Sequence, residues 1–208
     1  MDKIIILHGL FMHGLIMKPL ANRLKKEGFD VEVISYNSRN INIELVFDKI
    51  QHALHSSKRN ILVGHSLGGL LALSFLECKK PSIDVVSHLV TLASPLNGAS
   101  IAQRLVELKC RKILGNSFLY GLKPEYRAWN GAQKIGSIAG YLPLGLRPVL
   151  LADKEMSDGT VSLNETKLQG MSDHIMLNCS HTSIIYSSKT VQQIKAFILH
   201  DKFSHHLN

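Results

Sequence analysis

Gly64-His65-Ser66-Leu67-Gly68 matches the pattern G-x-S-x-G, and Gly69 follows it. A serine hydroxyl is a weak nucleophile unless a base lies within reach and a sharp turn holds it open to substrate. Composition alone would produce the five-residue pattern in roughly one comparable chain in ten, so its surroundings decide its weight. Upstream, Asn60–Gly64 reads as a buried strand; downstream, an apolar helix runs from Leu67 to about Cys78. Glycines two residues either side of Ser66 let that strand and helix come close. The plainer alternative is a glycine-rich turn whose serine only caps the helix. His65, beside Ser66 on the chain, is expected to support the turn rather than act as the base.

Attack by Ser66 on an acyl carbonyl would create an oxyanion, which two backbone N–H groups usually hold. One is expected from Leu67, the residue after the nucleophile. The other is expected from the loop His8-Gly9-Leu10-Phe11, with Leu10 the first choice and Phe11 the alternative. The carbonyl or ring of His8 is expected to brace that loop. An acid and then a histidine should follow Ser66 in the chain. Asp153, Asp158 and Asp173 are the aspartates in play. Asp158 is preferred because its Asp-Gly pair makes a tight turn that can aim a carboxylate back at a sheet edge. Asp153 is the rival. His181 is the expected base, since it follows a strand-like run, His174–Cys179. His174 stands at the wrong end of that run, and His205 and His206 lie near the chain end.

These groups can meet only if the strands before them end at one edge. Short apolar runs at Lys3–Leu7, Val31–Tyr36, Asn60–Gly64, Val85–Ala93, Ile135–Gly140 and His174–Cys179 alternate with helical patterns. The helical stretches are Pro19–Glu27, Ile43–His55, the one after Ser66, and a last one that Ser188 could cap. This alternation predicts an α/β fold, about six parallel strands with helices on both faces, spanning 1–208 as one domain. Residues 96–134 form a long connection, the sort of insertion that often borders a site.

The net charge is +8, and it is uneven. Residues 101–150 carry 8 Lys/Arg against 2 Asp/Glu, while residues 1–100 carry 11 against 8. Nucleic acid is the usual partner for such basicity, but no helix-turn-helix, zinc-finger or aromatic-basic pattern accompanies it, so none is expected. No apolar run is long enough to span a bilayer, and the N-terminal stretch does not read as a secretory signal. A cytoplasmic protein is the expectation. Cys78, Cys110 and Cys179 have neither metal spacing nor a disulfide framework, and no metal or organic cofactor is expected.

Taken in order, HGLF, GHSLGG, TLASPLNG (91–98), SDGTV and CSHTS make the chain resemble an α/β-hydrolase of the lipase/esterase type. The likeness is to small bacterial lipases and to GPI inositol-deacylase-like serine hydrolases, and its landmarks run from residue 4 to residue 183. It implies a three-layer sandwich, here in a minimal form without the two antiparallel strands that often open the fold. It also implies an acyl-enzyme on Ser66 that water releases. Substrate does not follow from fold. The expected activity is hydrolysis of a carboxylic ester, small or lipid. A thioesterase or acyltransferase on the same three residues is the alternative within enzymes, and a non-catalytic ligand-binding protein the alternative outside them. Residues 96–134 are expected to form a lid or acyl pocket, with Phe11, Leu96, Phe118 and Trp129 touching substrate. Arg104, Lys109, Arg111, Lys112, Lys123, Arg127 and Lys134, mixed with apolar residues, suit transient contact with an anionic membrane surface. A solvated basic face over ordinary packing is the plainer explanation.

Overall fold

The computed structural model describes residues 1–123, 126–151 and 153–207. Two residues of the 96–134 connection, 124 and 125, lie outside them. Six strands form one sheet: β1 (Lys3–Leu7), β2 (Asp30–Ile34), β3 (Asn60–His65), β4 (Val86–Leu92), β5 (Lys134–Gly140) and β6 (Asp173–Leu177). The order is β2-β1-β3-β4-β5-β6, and every neighbouring pair is parallel. All six expected strands are present: β1 has its expected bounds, and no strand end is shifted by more than two residues.

Strand alternation splits the core into two layers. Ile5, Leu7 and Leu62 face one side; Ile4, Ile6, Ile61 and Val63 face the other. Both sides are covered, so β1 and β3 read as continuous apolar runs rather than alternating ones. On the first side pack α2 (Ile43–Ala53) and α3 (Leu67–Lys79), with the short α4 (Ser100–Glu107) and α5 (Arg111–Leu114) of the 96–134 connection. On the second side pack α1 (Lys18–Lys26) and, after the short α6 (Arg147–Leu150), the terminal α7 (Ser188–His200). Ser188 is the first residue of α7 rather than its cap; Ser187 holds the cap position in extended backbone, and its side chain makes no capping bond. No described helix is long and apolar enough to cross a membrane.

Register decides what meets at the C-terminal edge of the sheet. Leu7 lies opposite Gly64 and His65 opposite Leu92, so the chain leaves β1, β3 and β4 side by side. Gly140 lies opposite Leu177, which places the departures from β5 and β6 together. Parallel strands connected by covering helices thus bring five loops from distant sequence to one rim, where open α/β sheets bind their ligands.

Candidate active site

Ser66 sits between β3 and α3 at φ 53°, ψ −122°. A non-glycine residue seldom takes positive φ, and such strain persists only where the surroundings enforce it. Here they do. The Ser66 N–H donates to the Leu92 carbonyl at 2.9 Å, and the Gly69 N–H donates to the Ser66 carbonyl at 3.0 Å. A Cβ on Gly64 would stand 2.4 Å from Gly69 backbone, and one on Gly68 would stand 2.5 Å from the Leu7 carbonyl. Those two glycines therefore permit the close turn. Gly69 makes room for Ser94, whose hydroxyl donates to the Gly64 carbonyl at 3.3 Å.

The structure brings Ser66, His181 and Asp158 together. His181 Nε2 lies 3.1 Å from Ser66 Oγ, and its Nδ1 lies 2.8 Å from Asp158 Oδ2. A carboxylate partner requires the proton on Nδ1, which leaves Nε2 free to accept from the serine hydroxyl. The other Asp158 oxygen accepts from the N–H groups of Thr160 and Val161, both at 2.8 Å. The His181 N–H also donates to the Asp158 carbonyl at 2.9 Å. Asp158 is 1% exposed, yet its carboxylate is fully partnered. Gly140, at the end of β5, leaves the space: a Cβ there would stand 2.8 Å from the Asp158 Cβ.

The other two aspartates are committed elsewhere. Asp153 faces the Arg147 guanidinium, with 2.7 Å from Nη2 to Oδ2. Asp173 accepts from the Phe203 N–H at 2.7 Å and pairs with His205. His174 lies at the start of β6, where Nε2 meets the Thr166 hydroxyl at 2.9 Å; burial pushes its pKa down to about 4.

His65 is fully buried and does not approach Ser66 Oγ as a base. Its Nε2 lies 2.8 Å from the His181 carbonyl, to which the ring N–H donates. Burial, reinforced by the neighbouring His181, lowers its pKa to about 3. A neutral ring there adds no second positive charge beside an imidazolium at His181. The His65 ring therefore supports the loop that carries His181, across the sheet.

The loop after β1 is braced as well. His8 Nδ1 donates to the Gly9 carbonyl at 2.9 Å, and Nε2 accepts from the Tyr36 N–H at 3.2 Å. This holds the ring neutral, in line with the burial that lowers its pKa. The Tyr36 hydroxyl donates to the His8 carbonyl. Phe11 stands at φ 59°, and its N–H donates to the Ser38 hydroxyl at 3.1 Å. That bond engages the alternative oxyanion donor. The N–H groups of Leu10 and Leu67 have no hydrogen-bond acceptor among the described residues.

The four expected substrate contacts separate. The Phe11 side chain is 59% exposed and lines a surface depression of about 610 Å³ with Met12, His13, Tyr36 and Arg39. Leu96 is fully buried in the core under the rim, and Phe118 is buried in the same layer with Arg111 over its ring. Trp129 is a clear departure. It lies with Leu76, Lys80 and Pro81 around the C-terminal end of α3, at the opposite edge of the sheet from Ser66, and its indole N–H donates to the Gln133 carbonyl. Apolar composition does not distinguish a core side chain from a pocket wall. Ser38, Arg147 and Glu165 carry structure around the site that no motif in the sequence marks. Among the described residues no group of three His, Cys, Asp or Glu side chains could hold a metal ion.

Comparison with known proteins agrees with this architecture. No curated protein sequence matches the chain. Among solved structures, the mature lipase BlEst2 of Bacillus licheniformis superposes with a TM-score of 0.65 at 17% identity, over 95% of this chain and 91% of that one. A metagenomic carboxyl esterase gives 0.68 at 15% identity, over 88% of this chain and 65% of its own. The NocB thioesterase domain of the nocardicin cluster gives 0.60 at 16%, over 95% and 93%. Identities this low speak to the fold, which is that of the α/β-hydrolases. The sequence pattern of the PGAP1-like alpha/beta domain matches residues 29–201, most of the chain from β2 to the end of α7, and the chain belongs to that family.

Proposed function

We propose that the chain is a serine hydrolase of carboxylic esters. The observation that carries this reading is the hydrogen-bonded line from Ser66 Oγ to His181 Nε2 and from His181 Nδ1 to Asp158 Oδ2, beginning at a strained serine. His181 takes the Ser66 proton as Oγ attacks the ester carbonyl. The N–H groups of Leu10 and Leu67 hold the oxyanion, and Asp158 stabilises the imidazolium. His181 then protonates the departing alcohol. Water, deprotonated by the same ring, cleaves the acyl-serine and frees the acid.

A binding protein on this scaffold has no use for a strained Ser66 or for a fully partnered carboxylate behind a histidine. The test compares the parent with Ser66→Ala on p-nitrophenyl esters of graded chain length. The variant should keep its fold and lose about 10⁴-fold or more in kcat. Hydrolysis by Ser66→Ala at the parent rate would contradict the reading. A thioesterase role is the second reading, favoured by the likeness to the NocB domain; thioester and ester kcat/KM values compared side by side separate the two.

We further propose that the ester is a lipid or acyl ester met at an anionic surface. Leu108, Ile113 and Leu119 are exposed on the 96–134 connection beside Lys109 and Lys112, a mixture suited to an acidic lipid interface. Vesicles with and without phosphatidylserine test this; equal binding to both would remove it. A cytoplasmic site of action is consistent with three free cysteines, one of them exposed.

A further inference from the structure

Arg147 opens α6 in the long connection between β5 and β6, and it is only 2% exposed. A guanidinium taken out of water must be surrounded by acceptors, and this one is. Nη2 donates to Asp153 Oδ2 at 2.7 Å and to Glu155 Oε2 at 3.2 Å, and Nε donates to Asp153 Oδ1 at 3.3 Å. Nη1 donates to Glu165 Oε2 at 3.2 Å and to the Ser100 hydroxyl at 2.7 Å. Asp153 and Glu155 precede Asp158 in the chain; Glu165 follows it. One side chain therefore grips both flanks of the turn that carries Asp158.

The grip extends to the turn itself. The Arg147 N–H donates to the Gly159 carbonyl at 2.8 Å. Gly145 and Gly159 let the two loops touch: a Cβ on Gly145 would stand 2.3 Å from the Gly159 carbonyl oxygen. Glu165 passes the hold on, because Oε2 also accepts from the Ser162 N–H at 2.7 Å, and Ser162 bridges Ser157 across the base of the turn. Its Oε1 accepts from the N–H of Ser100 at 2.6 Å, at the start of α4.

We propose that Arg147 is a positioning residue for Asp158: it closes residues 153–165 into a rigid clasp that keeps the Asp158 carboxylate on His181 Nδ1. The proposal rests on the serine-hydrolase reading above. Misplacing a catalytic group by about 1 Å costs on the order of a hundredfold, so a clasp of this kind should be visible in kcat.

The experiment is a double-mutant cycle on p-nitrophenyl butyrate, with active enzyme titrated by a fluorophosphonate. Arg147→Met should lower kcat per active site about 10- to 100-fold, with KM within about twofold. Arg147→Lys, which keeps the charge but lacks the fork, should fall between the two. In an Asp158→Ala background, where no carboxylate remains to be positioned, Arg147→Met should cost nothing further. Asp153→Asn, at the outer side of the clasp, gives the same cycle with a smaller loss of about threefold if Arg147→Met does not fold. An equal loss in both backgrounds, or no loss in the parent background, overturns the positioning role alone. A parent that neither labels nor turns over overturns the hydrolase reading and this one with it.

Discussion

The Ser66 elbow and the Asp158 turn hold their functional groups by opposite means. The elbow is built from adjacent sequence. Six consecutive residues, 64–69, supply the strand end, the strained serine, the close-packing glycines and the helix start. Its tolerances are steric and backbone-based. Asp158 itself lies in no helix or named strand. Side chains from residues 100, 147, 153, 155 and 165 fix it, and they converge on one buried guanidinium. The local device depends on close backbone contact; the dispersed electrostatic one depends on each partner. The two ends of the hydrogen-bonded line Ser66–His181–Asp158 are thus held by different kinds of contact.

Breaking the local device should have the largest effect. Gly64→Ala would place a Cβ 2.4 Å from Gly69 backbone, with no side chain able to yield. The expected result is a loss of about 4 kcal/mol, read as a Tm lower by about 10 °C or failure to fold, and followed by thermal circular dichroism. A Gly64→Ala protein with the parent Tm would mean that the elbow is looser than described. At the other end of the relay, Asp158→Asn should leave the fold in place and cut kcat by about 10⁴-fold, because the amide no longer sets the His181 tautomer. Steady-state kinetics on the purified variant decide this; a loss under tenfold would move the acid role to another residue.

The smallest expected difference between parent and variant is in acid stability, and it also compares the two regions. His65 at the elbow has its pKa lowered to about 3, and His174, bonded to Thr166 just beyond the Asp158 turn, to about 4. Burial is the leading cause for both. In the unfolded chain each imidazole protonates near pH 6.5. Below that pH the unfolded state binds more protons than the folded state, so stability declines as pH falls from about 6.5 toward 4. Each proton taken up contributes a slope of about 1.4 kcal/mol per pH unit. Urea midpoints from pH 7.5 to 4.5 should fall monotonically, and more shallowly in His65→Gln. Equal slopes in parent and variant would show that His65 is already charged in the folded chain.

Much of the fold and part of the site were legible from short-range pattern. The apolar runs Lys3–Leu7 and Asn60–Gly64, bounded by glycine and by helical patterns, mark strands because local pattern suffices there. The candidacy of Ser66, Asp158 and His181 needs three further rules: parallel strands end at one edge, the acid and then the histidine follow the serine in the chain, and an Asp-Gly pair makes a tight turn. Arg147 had no such signal. It is one of eight basic residues in 101–150, and a charge count treats a buried clasp and a solvated lysine alike. Trp129 lacks a signal for a related reason: the apolar content of 96–134 serves the core under α3 as well as any acyl pocket, and only tertiary packing assigns it. The engagement of the Phe11 N–H by Ser38 needs a partner 27 residues away, which no motif carries.

The proposed chemistry requires Ser66 to be an activated nucleophile. Intact-mass analysis after treatment with a fluorophosphonate at pH 7.5 tests that most directly. The expected result is one covalent adduct, mapped to Ser66 by peptide sequencing and lost in His181→Ala. An unmodified parent chain, or an adduct on any other side chain, would contradict it.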